Sequence, residues 1–196
     1  MYIDEAHFND FLKAKEILWL GIDFTKAKFT RNGFDYTQEI MRYYFNEWNM
    51  LIISDQKKYD IRLSFRKPIM SYDLSIIMQN NKSVKIGNLI CDHINIAHVY
   101  SDDAIGNYVK NLPLPKTHRY ALLFVVESFD ANSKTAAIWV TIIHTENNTL
   151  VLCEKFLKTP GGFGTKNYWA RTFYNLLFDI QKYSYYRWEN LFKTNL

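Results

Sequence analysis

A chain of 196 residues that is 48% apolar, 22% charged and 17% aromatic has the make-up of one folded domain, not of a disordered or low-complexity segment. At this length roughly 70% of the unfolded surface can be buried, so neither a disulfide nor a structural metal is needed for folding. The formal net charge is +4, but Lys and Arg are scattered and no basic run exceeds the pairs Lys57-Lys58 and Arg66-Lys67. That distribution argues against the electrostatic stripe of a nucleic-acid binder.

The start, Met1 to His7, is polar and acidic, without the basic and apolar regions of a secretory leader, and no run of 18 apolar residues exists to span a bilayer. Two settings fit: a cytoplasmic protein, or the mature form of a periplasmic or cell-envelope protein whose leader has been removed. Residues 4–14 read as a short helix capped by Asp4, with Phe8, Phe11 and Leu12 on one face. Glu16 to Phe24 is apolar almost throughout and reads as a strand buried on both faces. Residues 25–36 are polar and hold the turn dipeptide Asn32-Gly33. Thr37 opens a long helix to Ile53, in which Ile40, Met41, Tyr44, Trp48, Leu51 and Ile52 recur at helical spacing. A second helical stretch, Gln56 to Phe65, ends before Pro68. Ser71 to Gln79 reads as a strand, Asn80-Asn81-Lys82 as a polar break, and Val84 to Ile90 as a further strand. Residues 91–100 carry no decisive pattern. Ser101 caps a helix through Val109, with Asp102 and Asp103 at its positive end, and Pro113 and Pro115 close that segment.

The strongest pattern comes next. Tyr120–Phe129, Thr135–His144 and Thr149–Leu157 are β-rich runs separated by short polar loops, which is the signature of an antiparallel meander. Pro160-Gly161-Gly162-Phe163-Gly164 makes a sharp loop into a helix running from Thr165 or Lys166 to about Gln181. The apolar face of that helix (Trp169, Phe173, Leu176, Leu177, Ile180) is suited to covering the meander. The tail, with Tyr185, Tyr186, Trp188, Leu191 and Phe192, reads as a last short helix. With no internal repeat or linker, the expectation is a single α/β (α+β) domain over residues 1–196. Its mixed sheet would end in a three-stranded antiparallel meander covered by helices.

Candidate chemistry is sparse. A glycine loop between a strand and a helix N-terminus can present backbone N–H groups to an anion, which makes Gly161, Gly162, Gly164, Lys166, Asn167 and Arg171 the candidate ligand-binding set. The order Gly-Thr-Lys matches neither the P-loop nor the dinucleotide fingerprint, and the same glycines serve equally to supply positive φ for a tight turn. Cys91 and Cys153 lie in apolar runs and read as buried thiols. Cys91, Asp92, His93 and His98 have metal-ligating chemistry, but neighbours in an extended strand point to opposite faces, so no metal is expected. Glu127, His144 and Glu154 on adjacent strands could pair for acid–base work, though polar residues at strand ends fill the same pattern without it. The aromatic, mildly basic tail (Lys182, Tyr183, Tyr185, Tyr186, Arg187, Trp188, Lys193) could stack bases or meet a membrane surface; docking on the core is the commoner outcome. No catalytic residue or cofactor is expected.

Gly162-Phe163-Gly164 followed by Asn167-Tyr168-Trp169-Ala170-Arg171, after the three-strand meander, resembles the C-terminal half of an uncharacterised bacterial cell-envelope family, often lipoprotein-like. The likeness covers about residues 119–190, and Leu18 to Lys28 is similar to that family's first strand. The element order also resembles, more distantly, the α/β domain at the N-terminus of TolB and in the curli-secretion lipoprotein. The resemblance implies a non-enzymatic cell-envelope binding or interaction protein, recognising another envelope protein or a small ligand through residues 160–171 and exposed aromatics nearby. The alternative is an enzyme that takes a small molecule or nucleotide at the glycine loop and helix N-terminus. A nucleic-acid reading would require Lys166, Arg171, Lys182 and Arg187 to share one face.

Overall fold

The computed structural model describes residues 1–32, 37–94 and 100–193. It opens with a two-residue strand, β1 (Tyr2–Ile3), and helix α1 (Glu5–Lys13), whose cap Asp4 accepts from the His7 amide. Strands β2 (Glu16–Asp23) and β3 (Lys28–Thr30) follow. Helices α2 (Gln38–Ser54, capped by Thr37) and α3 (Ile61–Ser64) lead to β4 (Ile69–Tyr72). Helices α4 (Ser75–Lys82) and α5 (Ile86–Leu89) lead to β5 (Ile90–Cys91). Helix α6 (Asp102–Lys110, capped by Ser101) precedes the long strands β6 (Tyr120–Asp130), β7 (Thr135–His144) and β8 (Thr149–Lys158). The chain closes with α7 (Thr165–Asp179), one π-helical turn (Ile180–Ser184) and α8 (Tyr185–Lys193).

The strands form one mixed sheet in the order β1-β8-β7-β6-β2-β4, with β3 beside the far end of β6 and β5 outside β3. β6, β7 and β8 are antiparallel neighbours, the expected meander, while β2 and β3 run parallel to β6 and β4 runs parallel to β2. Every residue of β2 after Glu16 is buried, as a strand covered on both faces demands. One face packs against α1, α2, α3, α7 and α8 through Phe11, Trp48, Ile61, Phe173 and Trp188, among others. The other packs against α4 and α6 through Ile77, Ile105 and Val109. The aromatic surplus lies mainly inside. Phe29, Phe129 and Trp169 stack in sequence at 4.7 and 4.5 Å between centroids, and Phe24 stacks on Phe45 at 4.3 Å. Among the described residues, no helix is long and apolar enough to cross a membrane.

Four expectations need correction. Ser71–Gln79 is not a strand: the strand is Ile69–Tyr72, and α4 begins three residues later. Asp73 Oδ1 accepts from the amide and hydroxyl of Ser75, turning the chain, after which Leu74, Ile77 and Asn81 face inward at helical spacing. Val84–Ile90 is mostly α5, because the Gln38 side chain binds the Val84 carbonyl and the Ile86 amide and fixes that turn. The helix expected over 56–65 is only Ile61–Ser64, and residues 25–36 contain a strand, β3. Gly33 of the expected turn lies outside the described residues.

β4 pairs with β2 only from Glu16 to Trp19. Beyond that point no strand among the described residues lies beside this edge of β2, and two side-chain amides take the strand's place. Asn49 of α2 accepts from the Ile22 amide (2.7 Å) and donates to the Ile22 carbonyl (3.0 Å). Asn81 of α4 accepts from the Phe24 amide (2.8 Å) and donates to the same carbonyl (2.8 Å). A bulge at Gly21 (φ +118°) brings the backbone close enough, and a Cβ there would stand 2.6 Å from Asn49 Oδ1. Asn49→Leu leaves the buried Ile22 amide unpartnered and is expected to lower stability by about 2 kcal/mol. Gly21→Ala is expected to cost about 1–3 kcal/mol through strain and crowding. Denaturant unfolding of both variants checks this; changes within about 0.5 kcal/mol would show that the edge does not depend on these contacts.

Lys67, 1% exposed, lies over the Phe11 ring and donates to the Phe11 and Leu12 carbonyls, closing the C-terminal end of α1. Burial pulls its pKa from the usual 10.5 down to about 8, with Glu189 pulling the other way. Between those two values the unfolded chain holds the proton and the native chain releases it, so this group's contribution to stability rises with pH across that window. Relative to Lys67→Met, the native sequence is expected to gain stability between pH 8 and pH 10 in parallel unfolding curves. A flat difference would show that folding leaves Lys67 unperturbed.

Candidate interaction site

The loop after β8 is folded over the first turn of α7. Asn175 Nδ2 donates to the Thr159 carbonyl, the Gly161 amide to the Tyr168 carbonyl, and the Tyr168 amide to the Gly164 carbonyl, each at 2.9 Å. Gly162 (φ +105°) and Gly164 (φ +77°) hold left-handed backbone that a side chain would strain; Gly161 does not. Two of the three glycines are thus explained by turn geometry. Below them the seat is rigid, since Trp169 lies flat on Phe129 and Trp48 Nε1 donates to the Lys166 carbonyl at 2.9 Å.

The polar members of the candidate set do not converge. Lys166 Nζ reaches away to Glu47 of α2 at 3.0 Å, and that hydrogen bond raises its pKa. Arg171 lies over the Tyr174 ring, 4.5 Å from its centroid. Asn167 donates to the Phe163 carbonyl within the loop itself. Arg187 is taken up by Glu154, and Lys182 is exposed. The basic face that a nucleic-acid reading requires is therefore broken up by acids on α2 and β8.

What the loop displays instead is Phe163. At 95% exposure it is the most exposed large apolar side chain among the described residues. A shallow hollow of 280 Å³ lies beside it, lined by Ala131, Gly162, Gly164, Thr165, Tyr168 and Trp169. β8, the strand that leads into the loop, has an open edge of its own. β1 covers β8 only at Leu152 and Cys153, so among the described residues no strand lies outside Glu154–Lys158, and Leu157 is 66% exposed. The sequence held one sign of this, an aromatic residue flanked by glycines; the open edge depends on how short β1 is and could not be read.

The other candidates do not converge on a site. Glu127 sits at a bulge of β6, accepting from Trp139 Nε1 (2.8 Å), Lys155 Nζ (2.7 Å) and the Tyr100 amide (3.2 Å). His144 pairs with Tyr120 at the opposite end of the hairpin, roughly 23 Å along the strand at ~3.3 Å per residue, so the two form no acid–base pair. Glu154 accepts from Arg187 and Trp188 on the other face. Asp92 binds Arg31 on the surface, His93 is exposed, and His98 lies outside the described residues. Among the described residues no cluster of three metal-ligating side chains occurs. Cys153 is buried as expected, whereas Cys91 is only half-buried; desolvation pushes both thiols up. One buried carboxyl escaped sequence reading. Asp23, at the carboxyl end of β2, accepts from the Thr25 amide and hydroxyl and from the Tyr108 hydroxyl, and burial raises its pKa.

No protein family, curated protein or solved structure matches the chain. Gly162→Val and Gly164→Val are each expected to lower stability by at least ~1 kcal/mol because of their positive φ. Gly161→Ala, with its nearest neighbour 3.6 Å from the added Cβ, is expected to be neutral. Thermal melts of the three variants separate a turn role from a role confined to ligand contact, which would leave all three melts unchanged.

Proposed function

We propose that this protein is a non-enzymatic interaction protein that docks an extended segment of a partner protein along the outer edge of β8 and anchors it at Phe163. We propose further that it works in the bacterial cell envelope. The observation that carries the docking reading is the pairing of an uncovered strand edge, Glu154–Lys158, with an almost fully exposed aromatic side chain on a fixed loop at its end. An open edge offers unpaired backbone groups to an added strand, and a pre-organised aromatic supplies binding energy with little ordering cost. The acids add support, since the buried Asp23 and Glu127 and the half-buried Glu154 are each engaged by two or more donors of the chain itself.

The envelope part rests on the Gly162-Phe163-Gly164 and Asn167–Arg171 resemblance. Fractionation of native cells with the intact mass of the recovered chain tests it: a periplasmic or lipid-modified species agrees, and a cytoplasmic one overturns it.

For the docking part, a photo-crosslinking residue in place of Phe163 is expected to yield one discrete adduct in native cells. Leu157→Lys, a charge placed on the strand edge, is expected to abolish that adduct while changing stability by less than ~0.5 kcal/mol. An adduct undiminished by Leu157→Lys, or no adduct at all, would sink the proposal.

A further inference from the structure

A cleft of 630 Å³ opens between α2 and α4, sharing no residue with the glycine loop. Its walls follow from helix geometry. Arg42, Phe45 and Asn46 stand at i, i+3 and i+4 on α2, and Met78, Asn81 and Lys82 repeat that spacing on α4. Asn81, fixed to the edge of β2, is the buried floor residue. Phe45, Met78 and Tyr43 make the apolar part. Arg42 and Lys82 are exposed cations, and among the described residues no acidic side chain lines the cleft. One Arg42 N–H covers the Lys82 carbonyl at the negative end of α4, at 3.1 Å, and a guanidinium has further donors to offer.

We propose that this cleft binds a small amphiphilic anion, its apolar body against Phe45 and Met78 and its carboxylate, sulfonate or phosphate head between Arg42 and Lys82. The volume lies within the ~300–1,000 Å³ range of ordinary ligand sites. Two cations with no acidic partner among the described residues, beside a partly apolar hollow, favour an anion and disfavour a cation or an uncharged polar ligand.

The test uses the full chain and sodium decanoate, followed by amide chemical shifts, with decyltrimethylammonium as the cation of matching apolar length. Decanoate is expected to give saturable shifts confined to residues 38–54 and 75–86, and the cationic probe none there. The double variant Arg42→Gln/Lys82→Gln, altered only at exposed positions, is expected to weaken decanoate binding by at least roughly tenfold. Asn46→Trp, which fills the cleft and keeps both cations, is expected to block it as well. Equal binding of the two probes, decanoate shifts centred elsewhere, or binding unchanged in either variant would overturn the proposal.

Discussion

The structure depends on two side-chain amides standing in for a strand. Past Trp19 the edge of β2 would leave its buried backbone groups unpartnered, and each such group is costly in an apolar interior. Asn49 and Asn81 reproduce the donor-and-acceptor pairing of a peptide unit, one from each of two helices. The same bonds pin α2 and α4 to the sheet. That pinning sets Phe45 against Phe24, fixes the cleft between the helices, and lets β2 continue to Asp23 without β4 beside it.

Much of this architecture could be read from residue patterns. The meander, α1, α2, α6 and α7 carry period, cap and turn signals within their own segments, and all stand where those signals put them. Failures occurred where distant contacts decide. Val84–Ile90 has strand-like residues but takes its turn from Gln38, and Asn80-Asn81-Lys82, which resembles a polar break, contains the amide that completes the β2 edge. The glycine loop was located correctly. The turning-away of Lys166 depends on Glu47 of α2, whose position no local pattern reveals, whereas Arg171 over Tyr174 is an i,i+3 neighbour within α7.

Charge is handled alike throughout the interior. Asp23, Glu127 and Lys67 are each buried with at least two hydrogen bonds, which is the condition under which a buried charge is tolerated. Removing one partner would leave an unsatisfied charge, whereas apolar replacement of a whole group can be nearly neutral. The interior therefore uses polarity to fix geometry, while the outer surface near β8 offers backbone edge and aromatic area.

The π-helical turn at Ile180–Ser184 resets the phase of the last helix. Lys158 and Ser184 both bind Asp179 and hold the turn in place. An unbroken helix would carry the buried stripe of α7 from Ile180 on to residues 183, 184 and 187, yet Tyr183 and Arg187 are exposed and Tyr185 and Trp188 are buried. The extra residue in the turn moves the inward face along by one position, about 100° of rotation. Sequence alignment across this point is therefore out of frame with geometry. A relative lacking one residue between 180 and 184 would close the turn into ordinary α-helix and keep the same aromatic residues facing inward across a one-residue gap.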